Sequence, residues 1–298
     1  MASPANPTLL SLVTEGLRQA GDYSPSSSLL AIYQNEVMEQ LKNKIWENCR
    51  QPKVMQTFAY GILVPGQSRY SCPADFSSDM RMQVLTGTVT GTAQSGAATT
   101  LVMAAGSTFA LTDVLGKEIL IISGTGAGSA GQIVGLANNS GTITLTVTPA
   151  FAAAPDGTSG YMLIDFAYPL EPKHIADFYL KTRPSAVGRP REYYPIGDED
   201  FDEFILDVAP DLVFNYGLKF FYYGNIMKTD LNSALMQRLY LEWRNFWIDG
   251  IRAKRLMEND DIRGPEAWNL WMSDLTAKVA SATYGTDLHE MAQTIVDY

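Results

Sequence analysis

Between Leu231 and Asn259 the chain carries its most constraining pattern. At about 100° per residue, Leu235, Met236, Leu239, Tyr240, Trp243, Phe246, Trp247, Ile251 and Met257 fall in one arc roughly 160° wide. Gln237, Arg238, Glu242, Arg244, Asn245, Asp249, Arg252 and Arg255 fill the other side. Asp230, Asn232 and Ser233 offer N-cap side chains, and Gly264-Pro265 offers a stop, so the spacing predicts one long helix. An aromatic stripe this wide needs several partners to cover it. Leu241 and Ile248 sit on the polar side, with Leu256 nearby. They read either as scattered surface apolars, which are common, or as a second contact surface against a neighbouring subunit or an extra layer of the same chain.

The partners come from both ends of the chain. Thr8 to Ala20 reads as an amphipathic helix with Leu9, Leu12, Val13 and Leu17 facing in and Gly21 ending it. A second helix runs from about Ser27 to Arg50, its stripe being Leu30, Tyr33, Val37, Met38, Leu41 and Ile45, with Pro52 beyond its end. A last helix spans about Pro265 to Ala282 with Trp268, Trp271, Met272, Leu275 and Val279 inward.

The middle of the chain is different. Phe58 to Val64, Ser68 to Phe76 and Met80 to Leu85 read as strands separated by Pro and Asp turns. From Gly87 to Ile164 the sequence is crowded with Gly, Thr, Ala and Ser, and its only charged residues are Asp113, Lys117, Glu118 and Asp156. Strand-like runs recur there (Thr99–Met103, Glu118–Ser123, Gly131–Leu136, Gly141–Thr148, Tyr161–Ile164), with a hairpin signal at Asn138-Asn139-Ser140-Gly141. Glu171 to Thr182 is ambiguous, and Phe204 to Tyr223 reads as a hairpin around Pro210-Asp211. The expected fold class is therefore α+β: a helical bundle formed by the N- and C-terminal helices, with β-hairpin arms and an inserted all-β barrel or sandwich. The domains are 1–86 with 166–298, and 87–165.

Chemistry-bearing motifs are weak. Gly126-Ala-Gly128-Ser-Ala-Gly131 matches a dinucleotide fingerprint, but strand and turn residues follow it where a helix N-terminus must hold the pyrophosphate, so it reads as a loop tip. Gly197 to Glu203 begins like a calcium loop, yet Glu203 stands where glycine is required and Ala209 where the bidentate glutamate belongs. His174 and His289 are the only histidines and have no zinc-site spacing; Cys72, followed by Pro73, lacks a nucleophile motif. Lys181, Arg183, Arg189 and Arg191 make a basic loop beside Tyr193 and Tyr194, a pattern suited to ion pairs between subunits. The expectation is no catalytic residue, no cofactor and no metal.

Composition narrows the class further. With 46% hydrophobic and 18% charged residues among 298, the chain can bury a large core. A net charge of −10 argues against gripping nucleic acid by counterion release. Two cysteines make no disulfide framework, and neither a signal segment nor a membrane-length apolar run is seen, so a soluble protein made in the cytoplasm is expected.

Two N-terminal helices are followed by Gln67-Ser-Arg-Tyr70-Ser-Cys-Pro73-Ala-Asp75 and β arms, then by Phe204-Ile-Leu-Asp-Val-Ala-Pro210-Asp211, a Tyr-rich strand and C-terminal helices. This order resembles the head-to-tail adaptor (connector, head-completion) proteins of tailed bacteriophages, especially the short-tailed ones, over residues 8–86 and 166–283. The Thr/Gly-rich insert, with Gly124-Thr-Gly-Ala-Gly and Pro149-Ala-Phe, is similar to small β modules of phage structural proteins and departs from the compact adaptor pattern. The resemblance implies a homo-oligomeric ring, commonly of twelve copies, in the virion neck. Such a ring sits beneath the portal protein, passes double-stranded DNA through its lumen without sequence-specific binding, and docks a tail or nozzle protein. It also implies a portal-docking C-terminal segment, here Tyr284, Leu288, Met291, Ile295 and Tyr298, with Leu241 and Ile248 as candidate subunit contacts. A rival reading from another class is a receptor- or carbohydrate-binding tail component; it requires an exposed aromatic platform on the insert, whose only aromatics are Phe109, Phe151 and Tyr161.

Overall fold

The computed structural model describes residues 8–48, 55–107, 110–139, 141–181, 186–196, 202–211 and 215–278. The chain is a mixed α+β protein. It opens with α1 (Leu9–Gln19), α2 (Ser27–Ile32), a π turn (Tyr33–Val37) and α3 (Met38–Asn48). Six strands follow: β1 (Gln56–Leu63), β2 (Arg69–Ser71), β3 (Phe76–Thr86), β4 (Val89–Thr92), β5 (Ser95–Ala97) and β6 (Thr100–Val102). Next come α4 (Leu111–Val114), β7 (Glu118–Ser123), β8 (Ala130–Asn139), β9 (Thr142–Thr148), β10 (Gly160–Leu163), β11 (Phe166–Pro172) and α5 (Ile175–Lys181). The last strands are β12 (Val187–Gly188), β13 (Glu192–Ile196), β14 (Glu203–Leu206), β15 (Ala209–Pro210) and β16 (Tyr216–Gly224), before α6 (Ala234–Glu242), α7 (Arg244–Glu258) and a terminal helical run over 264–278. Two compact units result, the chain crossing between them after Thr57, Pro73, Ser78 and Phe221.

In the helical unit the caps act as the residue types demand. The Thr8, Ser26 and Ser233 side chains accept from Ser11 N, Leu29 N and Met236 N, each satisfying one orphan donor of a first turn. Helix α1 ends in a Schellman motif: Gly21 takes φ +104°, Gly21 N–H donates to Arg18 O and Asp22 N–H to Leu17 O. Leu9, Leu12, Val13 and Leu17 share a buried cluster with Tyr33, Met38, Leu41 and Ile45, and with Tyr240, Trp247, Ile251 and Trp271. Two glycines permit close approach. A Cβ on Gly16 would stand 2.6 Å from Ile251 Cγ2, and one on Gly250 would stand 2.8 Å from Trp271 Nε1.

The long helix expected over Leu231–Asn259 is two helices. Trp243, at φ −109° and ψ 29°, breaks it, while Trp243 N–H still donates to Leu239 O and Trp247 N–H to Trp243 O. Past the break Phe246, Trp247 and Ile251 stay inward as expected, but α7 buries a wider face than one stripe. Ile248 and Leu256, expected on the polar side, are 2% exposed, and Met257, expected inward, is 42% exposed. The stop is also earlier than Gly264-Pro265. Asp260 takes φ 52°, Asp260 N–H donates to Met257 O and Asp261 N–H to Leu256 O, repeating the Schellman geometry with an aspartate in the glycine position. Gly264 and Pro265 instead begin the terminal helical run, where a proline costs no backbone bond.

Both large sheets have seven strands, in the orders β1-β16-β3-β11-β13-β14-β2 and β4-β10-β7-β8-β9-β6-β5. In each, the two edge strands are consecutive in sequence. Laid flat, seven strands hold their edges about 29 Å apart. Leu63 and Arg69, ending β1 and starting β2, are joined by a segment that spans at most ~21 Å; Thr92 and Ser95, between β4 and β5, by one that spans at most ~11 Å. Both sheets must therefore curl, the second nearly to closure. In the first, here the arm sheet, the edges are stitched by Tyr70, whose Oη accepts from Val64 N–H (3.0 Å) and donates to Gln67 O (2.8 Å).

The second sheet comes wholly from Val89–Leu163. Its hairpin at 138–141 forms where expected, with Asn139 opposite Thr142 and Gly141 at φ +89°. The expected Phe204–Tyr223 hairpin does not form: β14 lies between β13 and β2, and β16 between β1 and β3. An alternating pattern marks which face of a strand is buried and leaves its partner open. Here Phe204 chooses the partners. It is 0% exposed and packs its ring on Tyr70 (5.8 Å), Tyr193 (6.3 Å) and Phe220 (6.0 Å), which curling brings together from β2, β13 and β16. The ambiguous Glu171–Thr182 stretch, described as far as Lys181, resolves into the end of β11 and α5, whose first turn is capped by His174 Nδ1 accepting from Ala176 N–H (3.2 Å).

Candidate assembly surface

The back of the helical unit is charged and tied to itself. Arg244 pairs with Glu15 of α1, and Arg255 pairs with Asp22 and lies 3.8 Å from Glu258. The Tyr33 hydroxyl donates to Glu258 at 2.5 Å; burial, then the Glu258 carboxylate, hold that phenol far above its ordinary titration range. This network fastens the end of α7 to the π turn and to the loop after α1. Apolar side chains interrupt this charged exterior: Leu241 is 54% exposed, Leu270 65% and Ile262 94%. Of the two candidate subunit contacts, Leu241 faces outward, whereas Ile248 lies inside its own chain's core cluster and has no surface left to offer a neighbour. Tyr284, Leu288, Met291, Ile295 and Tyr298 lie outside the described residues.

Between α7 and the terminal helical run lies an open cleft of about 500 Å³, lined among others by Asp249, Arg252, Arg263, Trp271 and Asp274. Burial raises the pKa of Asp249, Arg252 partly offsets this and Asp274 adds to it. Arg263 grips Asp261 through Nε and Nη2 (2.9 and 2.7 Å), which holds the Asp261 carboxyl at about 2. The Asp260-Asp261 pair is thus a helix terminus in which Arg263 balances the Asp261 charge. Alternating signs on an open wall suit a polar protein contact better than an enclosed small-molecule site.

The remaining motifs resolve into local structure. Gly126 and Gly128, at φ +80° and +85°, lie in the turn joining β7 to β8, and strand β8 follows them, so no helix N-terminus faces a phosphate. Of the calcium-like stretch, residues 197–201 lie outside the described set, and Glu203 pairs with Arg69 across β14 and β2. Arg189 stacks over the Tyr168 ring at 3.8 Å, while the Arg191 and Glu192 N–H groups donate to Asp207 Oδ1 (3.0 and 3.2 Å), so this part of the basic loop is engaged within the chain. The rest of that loop, 182–185, falls outside the described residues. Cys72 is half-buried in the arm region, and its N–H donates to Asp202 O. Among the described residues no group of three His, Cys, Asp or Glu side chains is placed to hold a metal ion, and no helix is long and apolar enough to cross a membrane.

On the insert, Phe151 and Tyr161 are 4% and 1% exposed, and Phe109 is outside the described residues. The described aromatics thus form no platform for a sugar ring. Its charged residues bond within the chain, Asp113 by accepting from Ala110 N–H at 3.1 Å. Asp156 accepts from Thr158 N–H and Oγ1 (2.8 and 2.6 Å) and from Thr125 Oγ1 (2.7 Å), and these bonds hold its carboxyl at about 2. Lys117 pairs with Asp165 at 2.9 Å and Glu118 with Lys219 at 2.6 Å. Sequence reasoning noted Lys117 and Glu118 only as rare charges and did not find their partners Asp165 and Lys219; the adjacent opposite charges at 117 and 118, in a stretch otherwise almost uncharged, were the available signal.

Compared with protein-family models and with curated proteins, the chain matches none.

Proposed function

We propose that this chain is a phage virion structural protein that forms a ring-shaped head-to-tail adaptor, working by assembly and not by catalysis. In this reading the N- and C-terminal helices form a bundle repeated around the ring. The ring docks on the portal protein, extends the DNA channel and gives the tail its attachment site. The observation that carries the reading is the outward placement of Leu241, Ile262 and Leu270 on a helical unit whose core is already filled. Large exposed apolar side chains on a charged exterior are accounted for when neighbouring copies cover them. The net charge of −10 fits the same role, since an acidic lumen repels the DNA backbone and keeps it from sticking.

The purified chain, mixed with purified portal and imaged by electron microscopy, is expected to give closed rings seated on the portal. A strictly monomeric chain with no affinity for the portal overturns the proposal.

A further inference from the structure

Strand β7 is buried on both faces, which explains its unbroken apolar run. Ile119 and Ile121 point into the insert's own core with Leu145, Val147 and Tyr161. Leu120, between them, points the other way. It joins a second cluster with Met162 and Ala130 of the insert and Leu85 of the arm sheet, packed by Tyr60. The site on β16 that receives Leu120 is Gly217, where a Cβ would stand 2.4 Å from Leu120 Cδ2. Two residues along the same face of β16, Lys219 donates to Glu118 Oε1 at 2.6 Å. Its ammonium sits between three rings, 5.4 Å from the Phe58 centroid, 5.2 Å from Tyr60 and 5.5 Å from Phe221. The Lys219 side chain is 15% exposed and that of Glu118 29%, so solvent screens this pair less than an open surface pair. Burial and the adjoining Glu118 carboxylate push the Tyr60 phenol up.

The covalent connection is slight by comparison. The chain enters the insert through 87–88, between β3 and β4, and leaves it through 164–165, between β10 and β11. Asp165 Oδ2 accepts from both Thr88 N–H (2.9 Å) and Thr88 Oγ1 (2.7 Å), tying the two crossings to each other. Two crossings side by side are the whole covalent link, and Ile164 N–H donates to Glu118 O and Asp165 N–H to Thr86 O, both at 2.9 Å.

We propose that β16 acts as a clasp on the inserted module. Gly217 receives Leu120 and the Phe58–Tyr60–Phe221 box holds Lys219 against Glu118, fixing the angle at which the module stands on the arm sheet across its two crossings. The clasp belongs to a single copy of the chain and does not depend on ring formation.

Hydrogen exchange of the full chain tests this with two variants. G217V wedges the joint apart sterically, and the double variant E118Q/K219M removes the ion pair while keeping side-chain length. In both, amides at 86–89 and 163–166 are expected to exchange at least roughly tenfold faster, with the β8–β9 amides unchanged as the internal control for the module's own fold. Unchanged exchange at the crossings in both variants overturns the clasp, because the crossings themselves would then be rigid. Equal acceleration of β8–β9 also overturns it, because the contact would then be part of the module's folding core.

Discussion

The two curled sheets share strand number and a topology that places sequence neighbours on opposite edges, yet they are filled differently. The arm sheet, whose edges are joined by a longer segment, is packed by rings: Phe204 at the centre, with Tyr70, Tyr193 and Phe220 around it. The insert, whose edges are joined by Ala93-Gln94 alone, is packed mainly by Ile, Leu and Val, with Tyr161 and Phe151 as its buried rings. A tighter curl leaves less room inside, and smaller aliphatic side chains fill it. The tighter sheet also bends its chain more sharply at the ends. Gly124 takes φ +72°, and a Cβ there would stand 2.1 Å from Thr158 O. A loose curl therefore depends on a few large rings, and a tight one on many small contacts and on backbone that only glycine permits.

The sharpest break of this comparison is Phe204→Ala, expected to cost about 4 kcal/mol, against about 3 kcal/mol for Leu145→Ala at the 0% exposed heart of the insert. Exchange of the β13–β14 and β8–β9 amides reads the two losses separately. Tryptophan emission serves as the control, because Trp46, Trp243, Trp247, Trp268 and Trp271 all belong to the helical unit. Equal losses in both sheets from either substitution would erase the distinction drawn here.

Next in size is Gly124→Ala, expected to destabilise the insert by about 2 kcal/mol through left-handed strain and the clash with Thr158 O. An unchanged insert melting curve would mean that the turn relaxes at no cost.

A smaller effect belongs to Asp165. Its burial raises the pKa, but the Thr88 N–H and hydroxyl and the Lys117 ammonium outweigh that and hold it at about 2, below the ordinary 3.8. A carboxyl depressed in the folded state stabilises it above the unfolded value. That stability, about 1 kcal/mol after screening, is lost as pH falls from about 4 to about 2. In Asp165→Asn this part of the acid dependence should vanish; identical acid titrations of the two proteins would contradict it.

The smallest effect on folding is expected at Leu241→Asp, within about 0.5 kcal/mol by denaturation, since the side chain is already exposed. Under the adaptor proposal the same change weakens ring formation, read as a shift to monomer by light scattering. Ile248→Asp, by contrast, should unfold the helical unit, because it drives a charge into a filled core.

By itself, the sequence determined what is local. The serine and threonine caps, the Gly21 stop, the inward faces of α1 and α3, the Asn139–Thr142 hairpin and the loop role of Gly126-Ala-Gly128 all follow from contacts within a few residues. The shift to a nearly uncharged stretch also marked the run of strands between Val89 and Leu163. The tertiary structure decided what depends on distant partners. It broke the helix at Trp243 and covered a wider face of α7 than of α6, so that Ile248 entered the core while Leu241 stayed out, because periodicity marks the centre of a buried face and the neighbours set its width. It set β14 beside β13 and β2 around Phe204, because alternation names a strand's inner face and not its neighbour. It also brought Lys219 to Glu118 across 101 residues of chain, a pairing that no local spacing encodes.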